Sequence, residues 1–156
     1  TRDGTSFVNH REIDVIIRLC QQMELSWLSR VNDEGRKEIG IITFYGRQLR
    51  QIESRINPNE FPSLHIRTGT VDRFQGMEKQ IIIVSLVRNN NRHDIGFAKK
   101  AERINVAFSR AQELLIIVGC HSLFTQHSGQ AGRIYSNIYN TISLHGGLIN
   151  ASNILS

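Results

Sequence analysis

The sequence predicts an α/β domain: a mainly parallel sheet flanked by helices. Three observations lead there. Four short apolar runs recur, at 39–44, 64–71, 80–87 and 114–119. Two of them contain Ile81-Ile82-Ile83-Val84 and Leu114-Leu115-Ile116-Ile117-Val118. These are apolar at every position, the pattern of central strands in a covered parallel sheet. Helical periodicity fills the gaps between runs, and strands that alternate with helices close into a parallel sheet.

The elements follow in chain order. Residues 6–9 predict a short fifth strand. Ile13, Ile16, Ile17, Cys20, Met23 and Trp27 recur at three- and four-residue steps and predict a helix with one apolar face. Asn32-Asp33-Glu34-Gly35 reads as the loop that ends it. After the run at 39–44, Leu49, Ile52 and Ile56 predict a second helix. Residues 57–62 hold both prolines of the chain and read as a loop. A polar loop is expected at 89–94, a further helix through Ile134, Ile138 and Ile142, and a turn at Gly146-Gly147.

The 156 residues predict one domain across 1–156, long enough to bury a core without disulfides. Hydrophobic residues make up 40% and charged residues 21%, a globular balance. Net charge is +5 and the pI about 9.7, which fits a polyanionic partner but also an ordinary basic protein. Cys20 and Cys120 fall in apolar surroundings and read as core residues of a reducing compartment. The six histidines are scattered, without metal-site spacing. No apolar run is long enough to cross a membrane, so no membrane partner is expected. The cytoplasm is the expected location, or the nucleus in a eukaryote.

Three stretches carry polar chemistry. Thr43 and Tyr45 lie at the C-terminal end of a strand, where open α/β sheets bind ligands. A hydroxyl there could hold a phosphate and an aromatic could stack on a base, or both could simply begin a helix. Thr70 to Lys79 ends one strand and enters the next through Gly76. Glu78 could accept hydrogen bonds from a sugar hydroxyl, or form a solvated pair with Lys79. In Asn105-Val106-Ala107-Phe108-Ser109-Arg110-Ala111, Arg110 could meet phosphoryl charge, or sit as a surface arginine favoured by a helix end. The phosphate-cradling Gly-x-x-x-x-Gly-Lys-[Ser/Thr] loop does not occur in the chain.

Taken together, in this order and spacing, the three stretches resemble the Upf1-like group of superfamily 1 helicases. Ile39-Gly40-Ile41-Ile42-Thr43-Phe44-Tyr45 is similar to that group's strand with its threonine. Thr70 to Lys79 is similar to motif V, and 95–119, with the motif itself at 103–111, to motif VI and its lead-in. The likeness runs from about residue 4 to 119. It implies the C-terminal RecA-like domain of an ATP-driven motor on single-stranded DNA or RNA, lacking its own P-loop.

By position, the resemblance implies that Arg110 is the arginine finger, Glu78 the ribose contact and Gly76 the nucleotide side of motif V. Thr43, Tyr45, Thr70 and Arg88 would meet nucleic acid. ATP and Mg²⁺ would be held mainly by a preceding RecA-like domain, so this chain alone is expected to be inactive. Two departures stand out: Phe44 replaces a proline, and Gln112 replaces a basic residue after the finger. The strand pattern also predicts that Thr43, Thr70 and Arg88 share one sheet edge, while Glu78 and Arg110 share the opposite one. The competing expectation is a binding module, derived from such a domain, that grips nucleic acid or protein without catalysis.

Overall fold

The structure is a computed structural model, and it describes residues 2–3, 6–74, 76–87, 106–119 and 149–155. Its centre is a four-stranded, fully parallel sheet in the order β4-β3-β5-β6. The strands are β3 (Lys37–Thr43), β4 (Leu64–Thr70), β5 (Lys79–Ser85) and β6 (Ala111–Val118). The two inner strands, β3 and β5, are buried along their last five residues, as the two-faced apolar run of β5 requires. In contrast β6, expected to be central from the same pattern, lies at the edge of the described sheet with Leu114 exposed.

Helix α1 (His10–Trp27) forms where the periodicity predicts it. Asn9 caps it, its side-chain oxygen accepting from the Glu12 amide at 3.2 Å. Its apolar face buries Ile13, Ile16 and Cys20 against Ile39, Ile41, Ile81 and Ile83 of the sheet. Burying each isoleucine contributes about 1.5–3 kcal/mol. The Cys20 thiol is pushed up to about 12 by burial, so it stays neutral and inert in the core. Helix α3 (Gly46–Arg55) joins this layer through Ile52 and connects β3 to β4.

The opposite face of the sheet carries a second apolar cluster around Phe74, Val71, Ile42, Ile82, Val84 and Ala107. Phe74 belongs to a 3-10 turn, Val71–Phe74, that follows β4 directly. Its ring lies on the backbone of two strands. A Cβ on Gly40 would come within 2.9 Å of the ring, and one on Gly69 within 2.9 Å on its other edge. Any side chain at either glycine would lift Phe74 off the sheet.

Three local expectations change. Residues 6–7 are extended, as β2 (Ser6–Phe7), but pair antiparallel with β1 (Arg2–Asp3) in a separate ribbon, not with the main sheet. The segment around Asn32 to Glu34 is a one-turn helix, α2 (Val31–Glu34), closed by Gly35 at φ 78°. Its polar residues face solvent while the Gly35 carbonyl accepts from the Trp27 indole at 2.7 Å. Within 57–62 the chain makes a 3-10 turn, Pro58–Glu60, capped by Asn57. A last helix, α4 (Ala151–Leu155), touches α1. The expected loop at 89–94, the helix through Ile134 and the Gly146-Gly147 turn lie outside the described residues.

Candidate functional site: two rims of one sheet

Parallel register sorts the candidate residues by rim. Thr43 pairs with Thr70 on one side and with Ser85 on the other, and Ser85 pairs with Val118. These residues end their strands together at the C-terminal rim. Lys79 pairs with Ala111 at the N-terminal rim, which places Glu78 and Arg110 side by side just before β5 and β6. Seven-residue strands rising about 3.3 Å per residue set the rims roughly 20 Å apart.

At the N-terminal rim, a helical turn at 106–108 buries Ala107 and lets the chain swing through Ser109 into β6. The Lys79 amide donates to the Arg110 carbonyl at 3.0 Å, tying the start of β5 to that of β6. The Arg110 guanidinium is half-buried. Its Nη1 donates to the Met77 carbonyl at 3.4 Å and its Nη2 to the Ser109 hydroxyl at 3.1 Å. Its Nε is buried without a hydrogen-bond partner. Both acceptors are neutral, and among the described residues no carboxylate pairs with this cation. Glu78 is exposed and its carboxylate accepts from Gln112 Nε2 at 3.4 Å rather than from Arg110. Gln112, the departure noted after the finger position, therefore holds the carboxylate next to Arg110 without neutralising the arginine. Gly76 is exposed at φ 79°; a Cβ there would meet nothing, so its backbone angle, not crowding, is what favours glycine.

The C-terminal rim is closed by comparison. Thr43 is fully buried, with its hydroxyl 3.5 Å from the Tyr45 amide. The Tyr45 ring is 2% exposed and packs with Ile42, Val71 and Val87. Neither side chain offers a free face in this arrangement, whereas Thr70 is half-buried. Arg88 lies outside the described residues.

This rim also holds a polar network that the sequence reading passed over. Glu12, on the first turn of α1, is buried. Its carboxylate accepts from Ser85 Oγ at 2.7 Å, from the Val87 amide at 3.0 and 3.1 Å, and from Asn9 Nδ2 at 3.2 Å. Gln48, fully buried on α3, donates to Ser85 Oγ at 3.1 Å and exchanges two hydrogen bonds with the Asn9 backbone. Burial pushes the Glu12 carboxyl up to about 7, against the hydrogen bonds from Ser85 and the backbone, which pull it down. The Asn9-to-Glu12 spacing of a capping motif was legible. Partners 73 and 75 residues away were not.

Among the described residues no cluster of His, Cys, Asp or Glu could hold a metal ion, and no helix is long and apolar enough to cross a membrane. The buried, unpartnered Arg110 Nε fits an incoming phosphate; among the described residues of this rim nothing fits Mg²⁺.

The parallel sheet with helices on its flanks and polar residues gathered at its two rims defines a RecA-like α/β domain. A family model described as an AAA domain matches residues 1–122. The chain is 38% identical over 120 residues to Regulator of nonsense transcripts 1 of Dictyostelium discoideum, covering 74% of this chain and 9% of that protein. It is 36% identical over 118 residues to the DNA replication ATP-dependent helicase/nuclease DNA2 of Saccharomyces cerevisiae, covering 75% and 7%. It is 35% identical over 126 residues to the RNA helicase Mov10l1 of Homo sapiens, covering 76% and 10%. The chain belongs to this AAA-domain family, as the C-terminal RecA-like domain of a Upf1-like superfamily 1 helicase. It spans between 7% and 10% of the lengths of these three relatives.

Proposed function

We propose that this domain is the C-terminal half of an ATP-dependent motor on single-stranded nucleic acid, and that its two rims divide the work. The N-terminal rim faces nucleotide held by a preceding RecA-like domain, and the C-terminal rim faces the strand. The observation that carries this reading is Arg110: a half-buried guanidinium with an unpartnered Nε and neutral acceptors only, beside Glu78 and Gly76 and away from Thr43 and Thr70.

The chemistry follows from the residues. A guanidinium held at 3.4 and 3.1 Å by a carbonyl and a hydroxyl exchanges these weak contacts for phosphoryl oxygens at little cost. Its permanent positive charge then offsets charge developing on the transferred phosphoryl group. Glu78, exposed at the same rim, accepts hydrogen bonds from a ribose hydroxyl. The P-loop and the Mg²⁺-binding carboxylates belong to the partner domain, so the finger acts only when the two domains close.

At the C-terminal rim the strand contacts fall to Thr70, Arg88 and backbone groups. Thr43 and Tyr45 support that surface from beneath, a change from the direct contacts expected of them, because both are buried. The relatives are described as acting on DNA in one case and as an RNA helicase in another, so either track suits this domain.

The test is Arg110→Ala in the full-length protein. ATP turnover should fall by about 10³–10⁵ in kcat while single-strand affinity is retained. Normal turnover would overturn the finger role and favour the competing reading, a binding module without catalysis.

A further inference from the structure

Val87 is the only non-glycine residue with positive φ among the described residues, at 71°. A β-branched side chain in this left-handed region is strained, by about 1–3 kcal/mol for such residues in general. The position is not loose. Val87 is 3% exposed and packs in the cluster with Phe74, Tyr45 and Ala107. The ladder to β6 ends one residue earlier, where the Leu86 amide donates to the Val118 carbonyl at 3.1 Å. The next amide, that of Val87, turns away from the sheet and donates to both oxygens of Glu12. The Val87 carbonyl is held as well, accepting from Asn9 Nδ2 at 3.3 Å. Both polar groups of the strained residue are thus gripped by the N-terminus of α1.

From this geometry we infer that Glu12 is a positioning residue for the strand-binding rim: it holds Val87 in the left-handed conformation and so fixes the backbone at the exit of β5. The inference rests on the proposed division of the two rims.

The donor set supports it. Ser85 Oγ–H, the Val87 N–H and Asn9 Nδ2–H all donate to the carboxylate, and Gln48 holds Ser85 and Asn9 in place from α3. A carboxylate can accept from all three donors at once. A neutral amide cannot, because its NH₂ end would face one of them. Burial meanwhile makes a charge at this position unfavourable for the fold. An acid that the fold disfavours, yet that meets every donor around it, is used for its geometry at Val87.

The experiment uses the full-length protein with poly(dT) and poly(U) as strands, reading strand-stimulated ATPase and direct strand binding. Glu12→Gln should raise the strand concentration for half-maximal ATPase on the order of tenfold, the worth of one hydrogen bond to a charged group, and keep the saturated rate. At pH 8 its thermal midpoint should not fall, which separates positioning from loss of fold. Glycine adopts positive φ without strain, so in a Val87→Gly background the same Glu12→Gln change should cost much less. Unchanged half-saturation in Glu12→Gln, or an additive cycle with Val87→Gly, would overturn the inference while Arg88→Ala and Thr70→Ala still weakened binding. If Arg88→Ala and Thr70→Ala also left binding unchanged, the strand-rim reading itself would fall, and this inference with it.

Discussion

The two ends of the same four strands are built in opposite ways. At the N-terminal rim the polar groups are open and lightly held. Arg110 touches only neutral acceptors at 3.1 Å or more, Glu78 is exposed, and Gly76 faces solvent. At the C-terminal rim they are locked. Thr43, Gln48 and Ser85 are fully buried, and the strained Val87 is held at both polar groups, its amide donating to Glu12 and its carbonyl accepting from Asn9. An open rim suits a ligand that arrives on another body and leaves with each cycle. A locked rim suits a surface that must keep its shape while a strand slides past. The contrast follows from partners: a charge held by weak neutral acceptors is ready to be exchanged, whereas one fixed among buried donors is not.

Both rims depend on the Phe74 ring that lies across β3 and β4, so its removal makes the largest change. Phe74→Ala should destabilise the domain by about 3–5 kcal/mol in denaturant unfolding, because the ring fills the space between Gly40, Gly69 and Ile82 and leaves a cavity. A loss below about 1 kcal/mol would mean that the motif V turn does not anchor the sheet face, and the two rims would lose their shared support.

Next in size is a pH effect confined to the locked rim. The Glu12 carboxyl is raised to about 7 by burial, so the folded domain holds that proton more tightly than the unfolded chain does. The stability it contributes is fully present below about pH 4 and is lost as pH rises through 7, for a total of roughly 3 kcal/mol. The groups facing the carboxylate among the described residues, Asn9, Ser85 and the Leu86 and Val87 amides, are all neutral and do not titrate in this window. Unfolding midpoints at pH 5 and pH 8 should therefore differ more for the native protein than for Glu12→Gln. Equal slopes would remove the burial argument from the comparison.

The smallest effect tests the strand side directly. Thr70→Ala removes one half-buried hydroxyl at the rim and should weaken single-strand binding by about 1 kcal/mol, with ATP affinity unchanged. A matching loss of ATP affinity would mean that the rims are not separate.

Much of this was readable from the residues. Ile81 to Val84, apolar on both faces, form an inner strand as that pattern implies, but the same pattern at 114–118 falls on β6, at the edge of the described sheet, where Leu114 is exposed. Opposite edges for Thr43 and Arg110 followed from where strands begin and end. The edges of elements read less well. β6 begins at Ala111, three residues before its apolar run, because Gln112 and Glu113 are strand residues with exposed side chains. Residues 6–7 are extended as their pattern requires, but a two-residue strand carries no signal about which partner it pairs with. Glu12 was invisible for a different reason. A carboxylate on the first turn of a helix is normally a solvated capping residue, and only packing reveals that β5 and α3 close over it. Likewise the burial of Thr43 and Tyr45 is a matter of what lies above them, which no local pattern encodes.

The measurement that tests the account most directly crosses two variants with two readouts in the full-length protein. Arg110→Ala and Thr70→Ala would each be assayed for ATP turnover at saturating strand and for single-strand affinity without nucleotide. The account predicts a double dissociation: Arg110→Ala loses turnover and keeps affinity, while Thr70→Ala loses affinity and keeps turnover at saturation. Both variants losing both properties in proportion, with the fold intact, would contradict the division of the sheet into a nucleotide rim and a strand rim.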